Sequence, residues 1–103
     1  MNELVFAYGT LLDAAIQRSI IGRVVNSSPD TLPDYRIEKV LFGQQAFPII
    51  RPYPGATVKG RVLLVYPLEL RRIDHYETDA YERRRVQLAS GRRAWAYCAP
   101  TTD

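Results

Sequence analysis

One hundred and three residues are enough for one hydrophobic core and leave no room for a second, and such a chain buries roughly 65% of its unfolded surface without staples. Hydrophobic residues at 47% and charged residues at 24% exclude wholesale disorder, and a net charge of +3 lacks the strong basic excess of a nucleic-acid footprint. The longest apolar runs, such as Val62-Leu63-Leu64-Val65-Tyr66, are strand-length and far short of a membrane span, and a lone Cys98 excludes an internal disulfide.

The N-terminus has no basic segment leading into a long apolar stretch, so no signal peptide is expected, and the unpaired cysteine fits a reducing cytoplasm. Residues 3–8, rich in Val, Phe and Tyr, predict a strand that Gly9-Thr10 breaks. Asp13 is placed to cap a helix running to about Ser19, with Leu12, Ile16, Ser19 and Ile20 on one face and Gly22 as terminator. Arg23 to Asn26 reads as a short strand, and Ser27 to Asp34 reads as a loop by composition. Tyr35 to Phe42 is a second strand, ended by Gly43. Pro48, Pro52, Pro54 and Gly55 punctuate the next stretch, so residues 43–56 are expected to be irregular with one short extended piece.

Thr57 to Tyr66 is the strongest strand signal, and Gly60 within it suggests a bulge or a bend. Pro67 fits the first position of a helix in which Leu70, Ile73 and Tyr76 recur at three-residue spacing. Tyr81 to Ala89 and Arg92 to Ala99 read as two strands joined at Ser90-Gly91 in a hairpin. The pattern predicts a single α+β domain over residues 1–103: a mixed or mainly antiparallel sheet of five or six strands, curled into a small barrel with two short flanking helices.

Two segments carry candidate chemistry. In Tyr8-Gly9-Thr10-Leu11 a glycine lets backbone approach a ligand, and the first amides of the following helix favour an anion. The same four residues also read as a plain strand-to-helix turn. Glu77 closes the second helix, where the macrodipole and burial beside Tyr76 and Tyr81 would both raise its pKa towards that of a general base. Taken alone, it reads first as a solvated glutamate paired with Arg83 or Arg84. His75, without a second histidine or a partner cysteine at ligand spacing, is a surface helix residue, and Cys98 is a small core or edge hydrophobe. Twelve of the fourteen basic residues are arginine and seven of them fall between Arg71 and Arg93. With Glu69, Asp74, Asp79 and Glu82 nearby, they read as a solvated, ion-paired face before a phosphate-binding one.

Taken together, Phe6-Ala7-Tyr8-Gly9-Thr10-Leu11, Pro54-Gly55 with Val58-Lys59-Gly60-Arg61-Val62, Ile73-Asp74-His75-Tyr76-Glu77, Tyr81-Glu82-Arg83 and Ala94-Trp95-Ala96-Tyr97 resemble the gamma-glutamylcyclotransferase-like family, in order and over nearly the whole chain. The resemblance implies a small barrel with a cavity at one end. It implies Tyr8, Gly9, Thr10 and Leu11 as the substrate-binding loop, Tyr81 as a further substrate-site tyrosine and Glu77 as the catalytic acid/base. It also implies 5-oxoproline formation from a gamma-glutamyl amine or peptide, as in glutathione metabolism, with no metal or cofactor. Two positions depart from the family pattern: Thr78 stands where a glycine usually follows the glutamate, and Ile73 replaces a leucine. The expected partner is a small gamma-glutamyl molecule, not nucleic acid or a membrane. The alternative is a module on the same fold that holds a small carboxylate without turning it over.

Overall fold

The computed structural model describes residues 2–101. Five strands and two α-helices follow in the order β1 (Glu3–Ala7), α1 (Ala14–Ile20), β2 (Ser27–Phe42), β3 (Gln45–Val65), α2 (Pro67–Glu77), β4 (Glu82–Gln87) and β5 (Arg93–Cys98). Single 3-10 turns over Thr10–Leu12 and Thr78–Ala80 lead into α1 and out of α2. The strands form one curled sheet of order β2-β3-β1-β5-β4, in which only β1 and β5 run parallel. This is the curled α+β sheet with two helices that the strand-rich pattern predicts, in the form of a half-barrel.

Side chains alternate across β1 and divide the core in two. Val5 and Ala7 join Leu63 and Val65 of β3 under Leu70 and Ile73 of α2, with Ile21 beyond α1. Phe6 points the other way, into the hollow of the curl, among Leu32, Ile50, Val58, Ala96 and Cys98. Both helices stop and start where their sequence dictates. The Asp13 carboxylate accepts from the amides of Ala15 (2.8 Å) and Ile16 (3.2 Å), and Gly22 ends α1 at φ +98°. Pro67 opens α2, and the Glu69 carboxylate reaches back to the Tyr66 amide at 2.9 Å.

Three segments differ from the sequence-based expectation. Residues 27–34 are not a loop but the first half of β2, paired from Ser27↔Leu63 to Pro33↔Thr57. Residues 43–56 are largely extended, because β3 begins at Gln45 and pairs with β2 from Phe42↔Gln45 to Tyr35↔Pro52. Proline is tolerated there because β2 is an edge strand and its arm with β3 has no third strand along it. The register jumps between Pro33 and Tyr35, where Asp34 takes φ +63° and its carboxylate accepts from the Gly55 amide. Arg23–Asn26 forms no strand; the Val25 amide is taken by the buried Gln17 side chain at 2.9 Å instead of by a ladder. Gly60 is regularly paired with Asp30, so it marks no bulge. A Cβ there would stand 2.4 Å from the Ala7 carbonyl oxygen and 2.7 Å from the Phe6 ring, so glycine serves close approach.

Candidate functional site

The chain leaves β1 at Ala7, and the 3-10 turn that follows cannot satisfy its own first amides. Gly9 permits the turn to lie under Pro48 of the β3 arm, where an added Cβ would meet the proline ring at 2.9 Å. Gln17 fixes the turn from below: its amide group donates to the Leu11 carbonyl at 2.9 Å while its oxygen accepts from Val25. The Thr10 hydroxyl shares a 2.9 Å hydrogen bond with the Tyr76 hydroxyl, which ties the turn to the end of α2.

A narrow cavity opens at this junction, with about 370 Å³ of empty space including its mouth. The Tyr8–Leu11 turn forms one wall, Glu77 and Tyr81 face it, and Phe47, Pro48 and Tyr97 complete the enclosure. All six residues expected in the site, Tyr8, Gly9, Thr10, Leu11, Glu77 and Tyr81, therefore border one space. Sequence reading missed Phe47, Pro48, Tyr97 and Gln17. The first two lie in the stretch expected to be irregular, and Gln17 carries no sequence signal, since only the structure shows it buried.

The aromatic hydroxyls are tied down by named partners. Tyr8 donates to the Tyr97 carbonyl, Tyr81 to the Pro48 carbonyl at 2.9 Å, and Tyr97 to the Asp74 carboxylate at 2.6 Å. Burial pushes all three phenols above their ordinary range, so they are neutral donors at any physiological pH. Asp74 is in turn paired with Arg83 at 3.2 Å.

Glu77 is different. Among the described residues no hydrogen bond or ion pair holds its carboxylate, because Arg83 is engaged by Asp74 and Arg84 by Glu82. Desolvation alone pushes it up to about 7. The expected contribution of the helix dipole is not needed. Thr78, directly after it, turns the chain at φ +60°, ψ −165°, a conformation that glycine adopts freely and a β-branched residue resists.

The remaining candidates fall outside this space. Cys98 is fully buried and its thiol is pushed up to about 11 by burial, as suits a core residue and not a nucleophile. His75 is exposed on α2. Arg83 and Arg85 flank the Trp95 ring at 4.4 and 4.9 Å, Arg85 also reaches Glu3, and Arg92 is paired with Asp30 at 2.9 Å, so most of this arginine face is internally engaged. Among the described residues no group of three or more His, Cys, Asp or Glu is placed to hold a metal, and no helix is long and apolar enough to cross a membrane.

Comparison with known proteins bears on the family and the fold. The family described as "Gamma-glutamyl cyclotransferase, AIG2-like" matches residues 5–103. AIG2-like protein D of Arabidopsis thaliana is 32% identical over 85 residues, 82% of this chain, and the chain spans only about half, 55%, of that relative's length. A solution structure of another Arabidopsis thaliana protein superposes with a TM-score of 0.83 at 27% identity, over 99% of this chain and 72% of its own. A solved gamma-glutamyl cyclotransferase shares the fold at 18% identity with a TM-score of 0.79, over 100% of this chain and 69% of its own. With a family match that covers almost every residue, and with the turn and the carboxylate meeting at one cavity, this chain belongs to the AIG2-like gamma-glutamyl cyclotransferase family.

Proposed function

We propose that the chain releases 5-oxoproline and a free amine from a gamma-glutamyl amide by intramolecular attack of the substrate's alpha-amine. One observation carries this reading: a carboxylate without a partner, poised near neutrality, on the wall of the cavity built by the 8–11 turn. A gamma-glutamyl substrate brings its own nucleophile, so the protein needs only to fold it and to move protons. Holding the amine against the side-chain carbonyl contributes most, since well-oriented intramolecular reactions gain effective molarities of about 10⁵–10⁸ M.

In this scheme Glu77 takes one proton from the alpha-ammonium. The freed amine attacks the side-chain carbonyl carbon, a C–N bond forms, and the carbonyl electron pair moves onto oxygen. The amides at the start of the Thr10–Leu12 turn stabilise that oxyanion or hold the alpha-carboxylate. When the pair returns, the bond to the leaving nitrogen breaks and Glu77 hands its proton to that nitrogen. The surplus proton on the ring nitrogen passes to water. Tyr81 fixes the cavity wall through Pro48. A cytoplasmic setting suits both this chemistry and the free Cys98.

The test is incubation with a panel of gamma-glutamyl amides while 5-oxoproline is followed by chromatography. Wild-type protein should form it, with a rate that rises with pH through about 7 as Glu77 ionises. Glu77→Gln should lower turnover by about 10²–10⁴. Full activity in that variant would remove Glu77 from the mechanism. Binding of 5-oxoproline without turnover of any amide would instead identify a carboxylate-binding module.

A further inference from the structure

A second apolar pocket adjoins the cavity and shares four of its walls, Thr10, Phe47, Glu77 and Tyr81. It holds about 670 Å³ of empty space with its mouth, and Phe42, Tyr76, Thr78 and Ala80 complete it. The pocket lies between the tip of the β2–β3 hairpin and the corner at the end of α2. We propose that it receives the leaving amine of the substrate, and that it selects gamma-glutamyl amides of apolar amines that carry no carboxylate. This rests on the reaction proposed above and names its substrate class.

Continuity at Glu77 comes first. A proton delivered to the leaving nitrogen must come from the one carboxylate common to both spaces, so whatever hangs on that nitrogen projects past Glu77 towards Phe42 and Phe47. The second observation is what the walls offer. Tyr76 spends its hydroxyl on Thr10 and Tyr81 spends its own on Pro48, so both present ring surface to the pocket. Among the described residues that line it there is no lysine, arginine or histidine, and the only ionisable carboxyl is Glu77. A leaving amino acid or dipeptide would set its carboxylate against these apolar walls without a partner and beside a like charge, which is unfavourable. The third observation is Phe42. It stands 44% exposed, its ring 5.6 Å from that of Phe47 and tilted by 54°. An aromatic or aliphatic group between these rings and Tyr76 would cover apolar surface that is otherwise wet.

The deciding pair of compounds is gamma-glutamyl phenethylamide and gamma-glutamyl phenylalanine, which differ only by the carboxylate, with gamma-glutamyl ethylamide as the small control. The expected kcat/KM is at least tenfold higher for the phenethylamide than for either of the others. Phe42→Ala should reduce the phenethylamide-to-ethylamide ratio severalfold, and because Phe42 is half in solvent the variant should fold. Equal or faster turnover of the phenylalanine conjugate would overturn the proposal. A binding measurement separates this from failure of the reaction itself. Glu77→Gln protein is titrated with the same compounds and the ring protons of Phe42 and Phe47 are followed by NMR. Saturable shifts with the phenethylamide alone support the pocket even if no amide is turned over. Unmoved rings refute it even if turnover is found.

Discussion

A β-branched residue holds the corner beside the one ionisable group that matters most. Thr78 at φ +60°, ψ −165° lies where L side chains rarely sit, and such a residue stores roughly 1–3 kcal/mol. Replacing it by glycine relieves that strain and gives back about 0.5–1 kcal/mol in lost chain entropy. Thr78→Gly should therefore raise stability by about 1 kcal/mol in urea unfolding, while Thr78→Ala, still strained, should gain less. A Thr78→Gly protein less stable than wild type would mean that the corner is not strained. Glu77 itself gives a pH signature. Its folded value of about 7 stands above the ordinary 4.5, so the folded protein keeps a proton that the unfolded chain has already released between those values. Stability contributed by the neutral carboxyl is complete below about pH 4.5 and is lost as pH rises through about 7. The loss is at most about 3 kcal/mol, reduced by whatever water reaches the group. Glu77→Gln, which cannot ionise, should match wild type at pH 4 and exceed it in thermal and urea stability at pH 8. Equal stability at both would place the carboxylate in ordinary solvent.

Among the elements, β1 and β3 meet more closely than a side chain on Gly60 would allow. Gly60→Ala drives a Cβ into the Ala7 carbonyl and the Phe6 ring, where neither backbone nor packed core gives way easily. The expected cost is about 3 kcal/mol, with the 8–11 turn displaced because it begins one residue after Ala7; wild-type stability in that variant would show that the strands move apart at little cost. Closeness of this kind is invisible in the sequence, where Gly60 reads as a bulge or a bend. What was legible were elements whose local chemistry and tertiary fate agree. Asp13 caps α1 and Gly22 ends it, Pro67 starts α2, and Ser90-Gly91 turns β4 into β5 with the Leu88 amide bonded to the Arg92 carbonyl at 2.8 Å. The prolines at 29, 33, 48 and 52 argued for loops because proline usually breaks a ladder. They survive in strands here because the edge of the sheet does not ask for their missing donors. The candidate site was legible as two motifs. The third wall was not, because Phe47 and Pro48 arrive on that same proline-punctuated arm.

For the whole molecule, the open question of a half-barrel is what holds its two edges, β2 and β4, towards each other. One small cluster contributes, beside the bond from the Ala99 amide to the Ile50 carbonyl at 2.9 Å. The Ala89 amide, just past β4, donates to the Thr31 carbonyl of β2 at 2.8 Å. Beside it the Asp30 carboxylate, its side chain only 3% exposed, accepts from the Ser90 hydroxyl at 2.6 Å and from Arg92 at 2.9 Å. Arg92 also reaches the Ser28 hydroxyl at 3.1 Å. Desolvation works against the Asp30 charge, yet the bonds from Ser90, Thr31 and Arg92 outweigh it and hold the carboxyl below its ordinary range. Its contribution is therefore present at neutral pH and is lost as pH falls through the acidic carboxylate range. Asp30→Ala removes the carboxylate that accepts from Ser90, Thr31 and Arg92 and leaves Arg92 without its ion-pair partner, while the Thr31 carbonyl and the Ser28 hydroxyl remain. The expected loss is about 2 kcal/mol at pH 7, less than for a fully buried pair because Arg92 is partly in water. The loss should shrink towards zero in acid, where wild-type Asp30 is itself protonated. Hydrogen exchange locates the effect. The Ala89 amide should exchange faster in Asp30→Ala, whereas the β1 amides of Val5 and Phe6, in the middle of the sheet, should slow or quicken only with global stability. An Ala89 amide equally protected in both proteins would mean that the sheet's own curvature, and not this cluster, brings the edges together.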